Sequence, residues 1–218
     1  MFFLFTVLMN MLLVIDSLRT YPIFVAFLKK QTNPFFNIAP GLDGVYAHSE
    51  VILPHANGTL GAAAYEAKMF KSFYKRPSHT FAQHYDDNAY DFLRLQVTPE
   101  EHTRAVRVCE ARLNTPYDLR GAICMAFNYN KIFNDCMASS ESDEPDIHSA
   151  ASLFCSQSVV LVLRETLENN NLLQNTLKTF DSRFITPNKL YEIIRTYSIP
   201  VRKEDFCSDT DETNNYNA

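Results

Sequence analysis

The sequence contains little glycine and no tryptophan. Only 5 glycines occur among 218 residues, and none of them belongs to a G-x-G-x-x-G or G-x-x-x-x-G-K phosphate-binding pattern. This absence argues against dinucleotide and P-loop chemistry. Basic residues are not in excess either, because 20 Lys and Arg stand against 25 Asp and Glu, so the chain has no overall positive field that would attract nucleic acid. We expect no nucleic-acid partner.

Cysteine is present in an odd number and at irregular intervals. No C-x-x-C pair occurs, and no cluster of Cys and His has the spacing of a structural zinc site. Such a set does not indicate a disulfide framework. We therefore expect no metal ion, and reduced thiols in an intracellular, cytoplasmic environment. The cysteines are Cys109, Cys124, Cys136, Cys155 and Cys207.

The chain does contain enough apolar surface for one compact domain, since 46% of its residues are apolar and 13% are aromatic. Residues 1–15 are almost purely apolar, but a bilayer span needs about 20 such residues and a signal peptide normally begins with positive charge. Residues 1–20 are therefore predicted to form either a buried N-terminal helix or a membrane anchor. Residues 21–202 would form the folded domain, and the acidic, Asn-rich residues 203–218 a disordered tail.

Aromatic and β-branched runs predict a small, mainly antiparallel sheet, and capped amphipathic segments predict helices. The T-P-E-E segment at 98–101 combines a Thr cap, Pro at the first helical position and Glu three residues after the cap. Asn57-Gly58 is a strong hairpin signal between the second and third strands. Together these patterns predict an α+β domain. The predicted strands are 21–28, 48–53, 62–70 and 90–97, and the predicted helices are 98–113, 119–132, 154–167 and 186–197.

One cysteine lies where thiol chemistry is favoured. Cys155 is expected in the first turn of the hydrophobic helix 154–167, shortly after a polar, acidic segment at 134–149 that is typical of an exposed loop. The partial positive charge at a helix N-terminus stabilises a thiolate, and the apolar face that follows would fix the sulfur in place. A cysteine with these features is either a nucleophile or a small buried apolar residue. A nucleophile would need a histidine to take its proton.

His48 is the best candidate for that base among six histidines. It stands at the start of a predicted strand, where a sheet would hold the imidazole rigidly, although a histidine there often has only a structural role. The other histidines lie in a turn, in a polar connection, on a helix flank or in the 134–149 loop, where a preorganised base is not expected. They are His55, His79, His84, His102 and His148.

The order of short motifs along the chain resembles one family. The motifs are H-S-E-V-I-L at 48–53, T-P-Y-D-L-R-G at 115–121, F-C-S-Q at 154–157 and T-P-N-K-L-Y at 186–191. Their order resembles the circularly permuted branch of the NlpC-type, papain-like cysteine hydrolases. That branch includes bacterial lipoprotein-like hydrolases, lecithin retinol acyltransferase-like enzymes and members encoded by large DNA viruses. In it the strand that bears the histidine precedes the helix that bears the cysteine.

This resemblance implies a permuted papain-like (NlpC-type) fold, in which a small antiparallel sheet packs against helices. Cys155 would be the nucleophile and His48 the general base. The family often places a third polar residue on the strand paired with the His strand, and counting across Asn57-Gly58 makes Glu66 the only carboxylate near His48. A register slip of one residue would turn Glu66 to the other face. The chain departs from the family at Gln157, where a Glu is common.

These features predict a thiol-dependent hydrolase or acyltransferase that acts on an amide or ester through a Cys155–His48 pair, without an organic cofactor. Its substrate would be a peptide, amide or lipid acyl group. The backbone N–H of Cys155 would bind the oxyanion, with Tyr46 as a candidate second donor. The alternative is a catalytically inactive papain-like scaffold, serving as a structural or interaction protein of a host cell or virion, with membrane association through residues 1–20.

Overall fold

The computed structural model describes residues 20–30, 44–54, 62–67, 72–77, 80–119, 121–122, 153–168 and 171–205. Within these ranges the strands are β1 (Tyr21–Lys29), β2 (Tyr46–Pro54), β3 (Ala62–Ala67), β4 (Phe73–Pro77), β5 (Tyr90–Val97) and β6 (Ile199–Val201). The helices are α1 (Phe81–His84), α2 (Pro99–Ala111), α3 (Cys155–Thr166), α4 (Leu172–Lys178) and α5 (Pro187–Arg195). The six strands form one sheet in the order β4-β3-β2-β1-β5-β6. All its pairs are antiparallel, and the predicted α+β class is confirmed.

The inner strands follow the sequence prediction, and the two edge strands do not. Strands β1, β2 and β5 lie within two residues of their predicted bounds. Strand β4 was missed because its five residues include Lys75, Arg76 and a terminal Pro77, and β6 was missed because it has only three residues and a central proline. Charged residues and proline are tolerated at sheet edges, where one side of the backbone needs no partner strand.

Local capping explains where α2 and α4 begin. At the start of α2 the Thr98 hydroxyl accepts from the Glu101 N–H at 3.1 Å, and the Glu101 carboxylate accepts from the Thr98 N–H at 2.9 Å. This reciprocal pair is the predicted capping box. Helix α4 was not predicted, although Asn171 caps it by accepting from the Leu173 N–H at 2.9 Å.

Several sequence predictions fall on residues that are not described. They include the apolar segment up to residue 19, the Asn57-Gly58 turn, most of the predicted helix 119–132 and the loop at 134–149. Of the predicted tail, Lys203–Asp205 forms a short 3-10 turn, and residues 206–218 lie outside the described ranges. None of the helices within the described ranges combines the length and apolar character needed to cross a membrane.

The sheet has two covered faces, and alternate residues of β2 point to each. Val51 and Leu53 belong to the main core, which the sheet forms with α2, α3, α4 and α5. Ile52 belongs to a smaller core on the opposite face, with Phe81 and other aromatic residues. Because side chains alternate along a strand, His48 and Glu50 project on the same side as Ile52.

Asn188 of α5 fixes the start of β2. Its side-chain Oδ1 accepts from the Tyr46 N–H at 2.8 Å, and its Nδ2 donates to the Tyr46 carbonyl at 2.9 Å. Gly44, just before the strand, has φ of 101°, and a Cβ at that position would lie 2.5 Å from Asn188 Oδ1. Glycine is therefore required by the left-handed backbone and by the close approach of the asparagine.

The Gly44→Ala variant is expected to lower the free energy of unfolding by about 2 kcal/mol, through backbone strain and the clash with Asn188. In an Asn188→Ala background the same change should cost less, because the clash is gone and only the strain remains. Urea unfolding of the wild type, both single variants and the double variant measures this coupling. Equal costs in the two backgrounds would contradict the contact.

Candidate active site

The sulfur of Cys155 lies where two strands part. The paired residues of β2 and β3 run from Pro54–Ala62 to Val51–Tyr65, so Ser49 lies beyond the end of this ladder. The backbone N–H of Ser49 hydrogen-bonds to the Cys155 sulfur. Because of this gap, the thiol at the start of α3 reaches β2 at Ser49, the residue next to His48.

The segment before Cys155 is held on both sides. Residues 114–118 form backbone hydrogen bonds with Phe73 of β4 and with Leu153, so they connect an edge strand to the residue two positions before the cysteine. Inside α3, the Ser156 hydroxyl donates to the Ile185 carbonyl at 2.5 Å. Because nearly the whole helix is buried, its packing fixes the rotation that aims the sulfur.

Cys155 and His48 share a hydrogen bond. Burial of the sulfur raises its pKa, but the hydrogen bond and charge interaction with His48, together with the backbone N–H groups of Ser49 and Ser156, outweigh burial and lower the pKa of Cys155. Cys109 behaves in the opposite way. Its burial and the neighbouring Glu110 raise the pKa of that thiol.

Glu66 contacts the Nε2 end of the His48 ring. Oε2 of Glu66 lies 2.9 Å from Nε2 of His48, which leaves Nδ1 as the nitrogen available to the sulfur. Since Val51 pairs with Tyr65, Glu66 lies at the level of Glu50 and reaches His48 diagonally across the two strands. A carboxylate at this position holds the ring orientation and stabilises the imidazolium form.

A buried ionic cluster lies behind His48. Nη2 of Arg76 and the Tyr74 hydroxyl both donate to Oε1 of Glu66, and Nη1 of Arg76 donates to Oε2 of Glu50 at 2.9 Å. Burial raises the pKa of Glu50, but its interactions with His84, His48 and Arg76 outweigh burial and lower that pKa. Glu50 therefore remains ionised at neutral pH.

The same cluster meets the geometric requirement for a cation. His48, Glu50 and Glu66 each offer a ligand atom, and these atoms lie within 4.8 Å of one another. The guanidinium of Arg76 already binds both carboxylates, so the positive charge that this cluster accommodates is an arginine. The expectation of no metal ion stays a prediction.

Three further residues complete the description of the site. Gln157 accepts from the Phe154 N–H at 3.4 Å, so its amide supports the start of α3. The expectation that Tyr46 donates to an oxyanion is wrong, because its hydroxyl donates to Asp91 at 2.5 Å. Sequence reasoning missed Tyr117, a partly buried phenol whose pKa is raised by desolvation, by Cys155 and by Asp118. The T-P-Y-D-L-R-G motif contained this signal.

The structure therefore brings together the three residues predicted for the site, His48, Glu66 and Cys155. Comparison of the chain with protein-family models, curated proteins and solved structures finds no match in any of the three. Any function must be inferred from the geometry of these side chains and their surroundings.

Cys155 should react with iodoacetamide at about pH 6, well below the pKa of about 8.5 for a free thiol, because its lowered pKa maintains the reactive thiolate. His48→Ala should slow this reaction at least about tenfold, since burial would then dominate. Mass spectrometry follows the modification of Cys155, with Cys109 as the internal control. Equal rates for the two thiols in the native protein would mean that no thiolate is stabilised at Cys155.

Proposed function

We propose that this protein is a thiol-dependent hydrolase or acyltransferase in which Cys155 attacks the carbonyl carbon of an ester or amide. The observation that carries the proposal is the arrangement at His48, whose ring contacts the Glu66 carboxylate and interacts with the Cys155 sulfur. A nucleophilic cysteine needs a base, and the base needs a third group to orient it. An isolated buried cysteine would need neither.

The reaction proceeds in two steps through a thioester. The Cys155 thiolate attacks the carbonyl carbon, and the tetrahedral intermediate then expels an alcohol or amine, which takes a proton from the His48 imidazolium. His48 next accepts a proton from water or from another nucleophile as that group attacks the thioester. The acyl group leaves on the new nucleophile, and the sulfur regains its original state. Water gives hydrolysis, and any other nucleophile gives acyl transfer.

The surroundings of the sulfur supply the groups that this chemistry needs. The N-terminal end of α3 stabilises negative charge on the thiolate, and the backbone N–H of Cys155 donates to the developing oxyanion. Tyr117 takes the place of Tyr46 as the second donor in this proposal, since its partly buried phenol interacts electrostatically with Cys155.

We extend the proposal to a permuted papain-like, NlpC-type fold. It is supported by the chain order, in which the His48 strand precedes the Cys155 helix, and by the antiparallel sheet in which β2 is an inner strand. The substrate class is a peptide, amide or lipid acyl group. The alternative is a papain-like scaffold without activity, and the following experiment distinguishes it from the enzyme.

Mixing the protein with p-nitrophenyl esters of increasing chain length should give a burst of p-nitrophenol and an acyl group on Cys155. Intact-protein and peptide mass spectrometry would detect the adduct. Cys155→Ser should abolish the burst. His48→Ala should slow acylation by about 100-fold or more, and Glu66→Gln by about tenfold, because the first removes the base and the second only its orienting partner.

Cys109→Ser is the matched control, because it removes a buried thiol that takes no part in the proposed chemistry. Its acylation rate should equal that of the wild type. Acylation of Cys155 that is undetectable, or that persists unchanged in His48→Ala, would contradict the enzyme and leave the inactive scaffold. A parallel series of peptide amides tests which leaving groups the thioester chemistry accepts.

A further inference from the structure

A buried arginine lies between two buried carboxylates, one of which contacts His48. Exposed fractions of the side chains are 8% for Arg76, 0% for Glu50 and 2% for Glu66. Burial of three charged groups is costly even when they are paired, and apolar replacements of the same volume are often at least as stable. Stability alone therefore does not explain why the cluster is built from charges.

The two oxygens of Glu66 have separate partners. Oε1 accepts from Arg76 and from the Tyr74 hydroxyl, whereas Oε2 faces Nε2 of His48. With one oxygen held by two donors, the carboxylate cannot rotate without breaking buried hydrogen bonds. The orientation of the imidazole is therefore fixed by contacts that begin at Arg76.

The charges of the cluster also bear on the thiol. Arg76 and Glu50 compensate each other at 2.9 Å, and the remaining negative charge on Glu66 is opposite His48. If Glu50 were absent, the arginine would add an uncompensated positive charge behind the imidazole. If Arg76 were absent, two carboxylates would face it instead. The two residues therefore act on the Cys155–His48 pair with opposite signs.

The other groups that face the cluster are tyrosines and one histidine. Burial, with the charge of Glu50 and the neighbouring Tyr90, raises the pKa of Tyr74 to about 12. Burial and Glu50 also raise the pKa values of Tyr85 and Tyr90, so all three phenols are neutral at physiological pH. His84 is partly exposed, with Nε2 at 3.8 Å from Oε1 of Glu50 and 3.1 Å from the Tyr90 hydroxyl.

We propose that Arg76 is a positioning residue that holds Glu66 against His48, and that Glu50 offsets the arginine's charge so that the Cys155–His48 pair stays ionised over its working pH range. This role rests on the proposed function, since it concerns the same thiol and imidazole. Neither residue touches the sulfur. Both act through Glu66 and His48.

The test measures the pH midpoint at which the Cys155 thiolate forms, from iodoacetamide alkylation rates across the acid range. Glu50→Gln removes a negative charge and should lower this midpoint, whereas Arg76→Gln removes a positive charge and should raise it. Each shift should be at least about half a pH unit. The double variant E50Q/R76Q should return toward the wild-type midpoint. A merely structural role would not produce shifts of opposite sign.

Glu110→Gln is the matched control. It also removes a carboxylate that is paired with a cation, here Lys75 at 2.6 Å, but Glu110 does not face the site cluster, so no shift of the midpoint is expected. Arg76→Gln leaves two buried carboxylates without their counterion, so circular dichroism must first establish that it is folded. If the Arg76→Gln variant is not folded, the direction of the E50Q shift alone tests the proposal.

An unchanged or raised midpoint in E50Q would overturn the inference, as would shifts of the same sign in E50Q and R76Q. Alkylation that is rapid and depends on His48, combined with an unchanged E50Q midpoint, would overturn this role while the proposed function stands. Alkylation of Cys155 that is independent of His48 would overturn both.

Discussion

The contacts of His48 with two acidic groups, Glu66 and Cys155, join the two layers of the molecule. Glu66 comes from the sheet, and Cys155 comes from the helix that packs on the sheet's other face. The contact with Glu66 requires the correct β2–β3 register, and the contact with Cys155 requires the correct rotation of α3. An error in either would leave a buried ionisable group without its partner, which is among the most destabilising changes that a protein core can undergo.

Apolar packing and ionic pairing each determine a different part of this site. The main core holds α3 through Val159, Val160 and Leu163, which are all fully buried, and this packing sets where the sulfur lies. The opposite face of the sheet holds the charges that set the state of the imidazole. Because the ladder between β2 and β3 ends before Ser49, the sulfur reaches the edge of this second face without the sheet having to break.

Sequence patterns were sufficient to predict the strand that carries His48 and the helix that carries Cys155. They were not sufficient to predict the β2–β3 register that places Glu66 beside His48. Strand β2 and helix α3 carry strong apolar patterns, and both lie close to their predicted bounds. A two-residue turn at Asn57-Gly58 would pair Val51 with Ala64 and turn Glu66 away from His48. The observed pairing of Val51 with Tyr65 differs by one residue, and that difference places Glu66 on the face of His48.

The ionic cluster could not be predicted, because its members meet only through long-range strand pairing. Arg76 lies on an edge strand whose sequence is typical of a loop, and it reaches Glu50 from 26 positions away. The wrong assignment of Tyr46 has a similar cause. The pattern placed its phenol near the site, but only the paired strands show that Asp91 takes the hydroxyl.

The asparagine that holds the start of the histidine strand has a consequence for biosynthesis. Asn188 lies 142 positions after the backbone that it holds, so a ribosome must make most of the chain before that strand end is secured. Cys155 is synthesised before Asn188. Until Asn188 is made, His48 is not held rigidly as the proton acceptor of the thiol. The thiol of a nascent chain would therefore stay unreactive until α5 docks, and truncation ahead of α5 would yield a polypeptide whose thiol is not activated.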